Sequence, residues 1–276
     1  MMRITRIISG GQTGADRAAL DAAIDSGIEH GGWIPKGRLA EDGPLPEAYR
    51  LKETPTAGYP ERTEQNVRDS DGTVIFSRGA LTGGSKLTAE LAQKHDKPHL
   101  HVDLNQIHPL KASGLAYRWI LTEGVSVLNV AGPRASMAPD IYPHTYRAVW
   151  GIFALDAMDG APLTDLTTFR FKVPARKTLI WPETLEELVD FLQDCLPFAL
   201  RIQISRMNEK QLAEIHAGLG ACIQNSFGLW QGNDRLLKSV ESWTFRETAS
   251  PADASWVVVR ALATKIRHTH LLKVVQ

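Results

Sequence analysis

The sequence predicts an α/β protein, with a parallel β-sheet flanked by helices and then a smaller, mainly helical domain. In the first half, short runs rich in β-branched residues alternate with longer helical patterns, which is typical of βαβ units. In the last third, this alternation gives way to consecutive helices with recognisable start signals. We therefore predict a sheet domain over residues 1–160 and a helical domain over residues 178–276.

Five segments of the first half are predicted to be strands of one sheet, and three segments between them to be helices. The predicted strands are residues 4–9, 31–34, 73–77, 99–103 and 126–130. The predicted helices are residues 15–26, 63–69 and 85–95, of which the first places four alanines on one face and ends before Gly27.

The segment from residue 37 to residue 61 contains four prolines and shows little periodicity. Structureless connections of this length are uncommon in compact domains, so we interpret it as a long functional or covering loop.

Three helix start signals support the predicted C-terminal domain. Thr184 with Glu187, and Asn208 with Gln211, have the spacing of a capping box before an apolar run. The sequence Ser-Pro-Ala-Asp at residues 250–253 combines a cap, a first-turn proline and an acid.

Composition excludes several classes of protein. The 276 residues include 31 Lys and Arg and 31 Asp and Glu, so no global basic field favours nucleic acid or an anionic membrane. Two cysteines, Cys195 and Cys222, argue against a disulfide framework or a Cys-based zinc site. No N-terminal apolar run has the length of a signal peptide and no stretch could span a bilayer, so we expect a cytoplasmic protein.

The strongest local signal is a glycine turn between the first predicted strand and the first predicted helix, over Gly10, Gly11, Gln12, Thr13 and Gly14. Glycines allow a close approach of the backbone, and a helix N-terminus offers unpaired N–H groups to a phosphate or another oxyanion. The sequence matches neither the Walker pattern nor the dinucleotide Gly-x-Gly-x-x-Gly pattern. A tight turn that binds nothing is the alternative.

A second loop follows the strand at residues 73–77 and opens the next predicted helix, with Thr82, Gly83, Gly84 and Ser85. Two such loops at the carboxyl ends of parallel strands can face one crevice, which favours a nucleotide-like ligand. Glu90, further along this helix, could cap its own helix or reach a sugar hydroxyl.

A third candidate is the turn after the last strand, where Arg134 could clamp a phosphate, while Gly132 and Pro133 could simply build the turn. Lys36 follows another strand and could meet an anion, although a solvated cation is the commoner case. His99 and His101 share a strand face, but no partner with metal-ligand spacing follows them. We therefore predict no dedicated metal site.

These signals combine into one hypothesis, in which two glycine-rich loops hold the phosphate of a small ligand by their backbone N–H groups. Thr13, Ser85 and Thr88 add hydroxyl contacts, and Arg134 or Lys36 neutralises charge. The full set of predicted binding residues is Gly10, Gly11, Gln12, Thr13, Gly14, Arg17, Lys36, Thr82, Gly83, Gly84, Ser85, Thr88, Gly132 and Arg134.

Several ordered blocks of the first half resemble the family called putative molybdenum carrier proteins. The blocks include SGGQTGADRAALD at 9–21, GWIPKGR at 32–38, LTGG at 81–84 and NVAGPR at 129–134, with Tyr59 and Arg62-Thr63-Glu64 between them. Residues 181–233 resemble a small uncharacterised family of helical domains, which implies no chemistry.

The resemblance implies a Rossmann-like domain of the superfamily that includes the LOG phosphoribohydrolases. Members similar to this family carry the molybdenum cofactor, a phosphorylated pterin, whereas LOG enzymes cleave nucleoside monophosphates and carry a Pro-Gly-Gly-x-Gly-Thr-x-x-Glu motif. Residues 82–90 keep the double glycine and the Glu90 spacing of that motif but have Thr82 for proline and Lys86 for glycine. The resemblance also implies self-association.

Three functions follow as hypotheses. The leading one is a protein that binds a phosphorylated small molecule, either the molybdenum cofactor or a nucleotide. The second is a LOG-like nucleoside-monophosphate phosphoribohydrolase with Glu90 as its catalytic candidate. The third is a nucleotide-sensing scaffold whose C-terminal domain recruits a protein partner.

Overall fold

The computed structural model describes residues 3–159, 174, 176–244 and 250–274. The chain divides into two compact units, Met1–Asp156 and Ala157–Gln276. The predicted domain boundary, between residues 160 and 178, lies mostly outside the described residues.

The first unit contains nine described strands and five described helices, and the last of these helices extends to residue 159. The strands are β1 (Arg6–Ile8), β2 (Glu29–Gly31), β3 (Trp33–Ile34), β4 (Leu39–Ala40), β5 (Gly43–Pro44), β6 (Lys52–Glu53), β7 (Gly72–Ser77), β8 (His99–Asp103) and β9 (Val127–Ala131). The helices are α1 (Ala15–Ser26), α2 (Tyr59–Arg68), α3 (Gly83–Lys94), α4 (Pro109–Glu123) and α5 (Ile141–Asp159).

Five of the strands form the central sheet in the order β2-β1-β9-β7-β8, and every pairing is parallel. All six residues of β7 are buried, as expected for an inner strand of a sheet covered on both faces. The predicted α/β class, with a parallel sheet flanked by helices, is confirmed. The carboxyl ends of β1, β9 and β7 lie side by side, so the loops that follow them leave from one edge of the sheet.

The single strand predicted over residues 31–34 was wrong, because the chain breaks at Gly32. Gly32 has a φ of 127°, and a Cβ there would lie 2.3 Å from the carbonyl oxygen of Ser9. The break puts β2 in the central sheet and lets β3 pair with β6 in a separate two-stranded ribbon. The side-chain oxygen of Asn66 accepts a hydrogen bond from the Trp33 N–H at 2.7 Å, which fixes the direction of the chain after the break.

The segment at residues 37–61 is not structureless, since it contains three short strands and the start of α2. It does cover the sheet domain. Leu45 and Leu51 are buried in a cluster with Leu20 of α1 and Ile34 of β3. Strands β4 and β5 form a two-residue hairpin with Glu41 and Asp42 at its tip.

Two long helices, α4 and α5, were not predicted. Both are richly apolar, and α5 buries Tyr146 and Trp150 almost completely. A helix with apolar residues on much of its circumference gives a weak amphipathic period, so the pattern that identifies surface helices is missing here.

The second unit is helical over its described residues. It contains a short 3₁₀ turn at Lys177–Ile180 and the helices α6 (Leu185–Cys195), α7 (Phe198–Arg206), α8 (Glu209–Ser226), α9 (Asp234–Thr244) and α10 (Pro251–Val274). Helix α10 packs against the other four. The predicted caps are present, since Thr184 accepts the Glu187 N–H at 3.1 Å and Asn208 and Gln211 form a complete capping box.

Within the described ranges of both units, no helix has the length and apolar character needed to cross a membrane.

Candidate anion-binding cleft

A cleft of about 500 Å³ opens at the edge of the sheet where β1, β9 and β7 end. Ligands bind at this edge in open parallel sheets because the loops and helix N-termini converge there. The wall consists of Gln12, Asp16 and three further groups of residues. These groups are residues 59, 60, 62 and 63 of α2, residues 77, 78, 80–85, 87 and 88 around the start of α3, and residues 131–134, 137 and 138 at and after the end of β9.

The N-terminus of α3 faces this cleft. The bond from the Lys86 N–H to the Thr82 carbonyl, at 3.2 Å, is the first that closes a helical turn. The N–H groups of Gly83, Gly84 and Ser85 precede it, and the Thr82 side chain does not cap them. Three backbone donors at the positive end of a helix are therefore available to an anion.

Two hydroxyl-bearing side chains of α3 are buried in the cleft wall. Ser85 is 7% exposed and Thr88 is 4% exposed. The Thr88 hydroxyl donates to the carbonyl of Gly84 at 2.9 Å. The Ser85 hydroxyl has no hydrogen-bond partner among the residues that the structure describes, so it can donate to a ligand in the cleft.

Three arginines line the cleft, Arg62, Arg78 and Arg134, against one carboxylate, Asp16, which leaves two formal positive charges in excess. Arg62 donates to Asp16 at 3.1 Å, and both side chains are largely buried. Burial raises the pKa of the Asp16 carboxyl, while the neighbouring Arg62 opposes that shift. The Nε atoms of Arg62 and Arg78 are buried and have no partner in the described structure.

Arg78 is held at the rim by residues that the sequence analysis did not select. Its guanidinium donates to the carbonyl of Leu104 at 2.7 Å and also bonds the Asp140 carboxylate and the His144 ring. Burial, reinforced by the positive charge of Arg78, lowers the pKa of His144. These contacts leave the Arg78 side chain fixed against the cleft wall.

The first glycine loop, by contrast, uses several of its donors, and those of the start of α1, within the protein. The Ala15 N–H at the start of α1 donates to the carbonyl of Pro133 at 3.2 Å, and the Arg17 N–H donates to that of Gln12 at 3.0 Å. The Thr13 N–H donates to the Gln12 side-chain oxygen at 3.0 Å. Of this loop, Gln12 alone is part of the cleft wall.

Two acidic side chains at the hairpin tip bond polar side chains of the first loop and of α1. The Thr13 hydroxyl donates to the Glu41 carboxylate, and Arg17 bonds Asp42 at 3.2 Å. Arg134 lies in the cleft wall, with its Nε 3.6 Å from Glu41. Hydrogen bonds from Ser136 and Thr13 lower the pKa of Glu41, even though partial desolvation acts in the opposite direction.

The structure thus divides the predicted binding residues into two groups. Those that line the cleft are Gln12, Thr82, Gly83, Gly84, Ser85, Thr88, Gly132 and Arg134. Those outside its wall are Gly10, Gly11, Thr13, Gly14, Arg17 and Lys36, of which Lys36 is exposed. Glu90 is also outside, on the surface of α3, where it pairs with Lys86 at 3.7 Å.

The residues missed by the sequence analysis are Asp16, Tyr59, Arg62 and Arg78. A signal existed for three of them, because Asp16, Tyr59 and Arg62 belong to the blocks that carry the family resemblance. Arg78 lies outside those blocks, although it directly follows its strand and precedes Gly79.

No cluster of three or more metal-ligating side chains occurs in the part of the chain that the structure describes. His101, one of the paired histidines of β8, instead shares a 2.7 Å hydrogen bond with Ser77 in the cleft wall.

Comparisons with known proteins agree with this architecture. Residues 7–153 match the profile of the circularly permutated YpsA SLOG family. Residues 181–266 match a domain of unknown function, DUF6794. No curated protein matches the chain.

A solved structure described as a putative molybdenum carrier protein from Syntrophus aciditrophicus SB is similar to the first unit. It is 54% identical over 55% of this chain and 96% of its own, with a TM-score of 0.53. The resemblance inferred from the sequence blocks is therefore confirmed. Because the family profile spans more than half of its length, this chain belongs to the circularly permutated YpsA SLOG family.

Proposed function

We propose that the first unit binds a small phosphorylated molecule, with the phosphate at the N-terminus of α3. The observation that carries the proposal is the set of open donors there: the N–H groups of Gly83, Gly84 and Ser85 together with the unpaired hydroxyl of Ser85, a residue that is 7% exposed. Backbone N–H groups at a helix N-terminus and a nearby hydroxyl are a common donor set for phosphate.

The charge of the cleft supports a dianionic group. Three arginines face one aspartate, and the aspartate is already bonded to Arg62. Arg78 and Arg134 pair with two acids outside the wall, Asp140 and Glu41, and we expect their remaining N–H donors to balance the phosphate charge, which planar guanidinium groups do well because they can donate two parallel hydrogen bonds.

The organic part of the ligand has an apolar surface to contact. Tyr59, Leu81, Leu87 and Met137 contribute to the wall, and Met137 is 67% exposed. An aromatic ring beside flexible thioether and aliphatic side chains suits a planar heterocycle. A nucleobase and a pterin both fit this description.

The relative from Syntrophus aciditrophicus supports a molybdenum-containing cargo, since it is described as a putative molybdenum carrier. We propose that the cargo is the molybdenum cofactor or a nucleotide, held by its phosphate. We favour binding over N-glycoside cleavage because Glu90 lies outside the cleft and pairs with Lys86 on the helix surface.

The test compares two substitutions at Gly84, where an added Cβ meets no atom within 4 Å. We expect Gly84→Asp to weaken binding of AMP at least about tenfold, because it puts a carboxylate among the phosphate donors. Gly84→Ala adds the Cβ without the charge and is expected to bind nearly as well as the wild type. Affinity would be measured by calorimetry with AMP, and with molybdate as a second anion.

Ser85→Ala is expected to weaken AMP binding severalfold while leaving the melting temperature nearly unchanged. Ser113→Ala is its control, because Ser113 is also buried but bonds the carbonyls of Pro109 and Ala148 in α4 and α5. Equal AMP affinity in Gly84→Asp and Gly84→Ala would contradict the proposed phosphate position.

A further inference from the structure

The tip of the β4–β5 hairpin places a carboxylate in a ready-made set of anion donors. Glu41 accepts hydrogen bonds from the Ser136 hydroxyl at 2.6 Å and the Ser136 N–H at 3.1 Å. It also accepts one from the Thr13 hydroxyl, and the Arg134 Nε lies 3.6 Å away. Two hydroxyls, one backbone N–H and one guanidinium therefore converge on a single oxyanion.

This donor set is not specific for glutamate. Hydroxyls, backbone N–H groups and arginine are the groups that hold phosphate, sulfate and carboxylate ligands in general. The set also adjoins the cleft, because Arg134 and the neighbouring Pro133 belong to its wall. The structure therefore contains a second oxyanion position beside the proposed phosphate site, with the protein's own carboxylate in it.

The hairpin tip is held differently from the hairpin base. At the base, Arg38 donates to the carbonyl oxygens of Leu45, Leu51 and Tyr49 at 2.9 to 3.0 Å. At the tip, the contacts to the first loop are side-chain bonds of Glu41 and Asp42 and one bond from the Glu41 N–H to Gln12, at 2.8 Å. Releasing these polar contacts would free the tip without opening the base.

We propose that Thr13, Ser136 and Arg134 form a second anion subsite, which Glu41 fills in the unliganded protein and an additional anionic group of the ligand takes on binding. The ligand class is then a compound with two anionic groups, such as a diphosphate ester. This inference rests on the proposed function for its ligand class, but the subsite itself stands on the hairpin contacts alone.

The first experiment removes the resident carboxylate with Glu41→Ala and adds formate as a replacement. We expect about 100 mM formate to raise the melting temperature of Glu41→Ala by about 2–4 °C over chloride at equal ionic strength, with a smaller effect on the wild type. Asp42→Ala is the control, because it breaks the Arg17 pair and leaves Glu41 in place. The double variant Glu41→Ala, Thr13→Val is expected to lose the formate response.

A formate response in Glu41→Ala no larger than in Asp42→Ala would overturn the subsite. If Glu41→Ala does not fold, Glu41→Gln gives the second measurement, the ratio of ADP affinity to AMP affinity. We expect this ratio to rise at least about threefold over the wild type, because the neutral amide competes less well for Arg134. An unchanged ratio would overturn the two-anion ligand class.

The outcomes separate the two proposals. Failure of the α3 phosphate site appears as equal AMP affinity in Gly84→Asp and Gly84→Ala, whereas the formate response of Glu41→Ala does not depend on α3. A formate response without nucleotide binding would leave the subsite standing and refute the nucleotide-type ligand.

Discussion

Glycines allow the loop after β9 to lie directly against the start of α1. Gly14 has a φ of 76°, and a Cβ there would lie 2.4 Å from the carbonyl oxygen of Pro133. A Cβ at Gly132 would lie 2.6 Å from the carbonyl oxygen of Phe76. Both obstacles are backbone atoms, which cannot move aside as a side chain can. These glycines therefore allow two backbone segments to approach closely, and of the two only Gly132 is part of the cleft wall.

Gly14→Ala is expected to destabilise the protein by about 3 kcal/mol or more, because the φ of 76° and ψ of −128° at Gly14 strain any other residue and a backbone clash adds to that strain. Urea denaturation would measure the loss in free energy of unfolding. Gly124→Ala is the matched control, since Gly124 ends α4 with a φ of 67° and has no atom within 4 Å of an added Cβ. The control should lose about 1–2 kcal/mol, from strain alone. Equal losses at the two positions would refute the role of the clash.

Helices α2 and α3, which carry Arg62 and the phosphate donors, are joined by a charged contact. Glu64 of α2 bonds Lys94 at 2.8 Å at the end of α3, and His95 at 2.7 Å just beyond it. Hydrogen bonds from Lys94 and His95 lower the pKa of Glu64 to about 2. Beneath them, Val67 of α2 packs on Leu91 and Ala92 of α3. Apolar packing and a surface ion pair thus fix the spacing of the two helices.

This contact is expected to make stability depend on pH in a defined window. The folded-state pKa of Glu64 lies below its ordinary value of 4.5, so the contact stabilises the fold above that value. The stabilisation is lost as the pH falls from about 4.5 towards about 2. Glu64→Gln should flatten the decline of the denaturation midpoint over this range. Glu90→Gln removes a carboxylate of α3 paired only with Lys86 on the surface and is the control. An unchanged decline in Glu64→Gln would contradict this assignment.

The charge of the whole molecule is balanced, while that of the cleft is not. With 31 Lys and Arg against 31 Asp and Glu, the chain has no net charge to attract anions from a distance. The excess of two positive charges among the wall residues is local, because Asp140 and Glu41 pair with Arg78 and Arg134 from just outside the wall. Physiological salt screens such a local field within about 8 Å. We therefore expect anions to bind at this one place, without general binding of polyanions.

Salt is accordingly expected to weaken AMP binding in a graded way. Raising KCl from about 50 mM to about 500 mM should lower the affinity about three- to tenfold, because the Debye length falls below the dimensions of the cleft. Calorimetry at several salt concentrations measures the slope. In Arg78→Gln the slope should be shallower, since one of the charges is gone. A slope equal to that of the wild type would show that Arg78 does not contribute to the field.

Much of this protein follows from local pattern alone. The β-branched runs, the glycine turns and the capping residues predicted the parallel sheet, helix α1 with its end at Gly27, and three helix starts in the second unit. The sequence blocks identified the family, and the second glycine loop was correctly expected at the start of a helix. These features depend on residues close together in the chain, so a single sequence contains them.

Long-range contacts decide which of two similar loops keeps its hydrogen-bond donors available to a ligand. The glycine loops at residues 10–14 and 82–85 have the same local chemistry, yet at the first loop the donors of Thr13 and Ala15 are bonded to Gln12, the Glu41 hairpin and Pro133. The second meets no such partners, so its N–H groups and Ser85 face the cleft. The bond to Pro133 spans more than a hundred residues of the chain and the bond to Glu41 spans 28, and no periodicity or local motif records such distances.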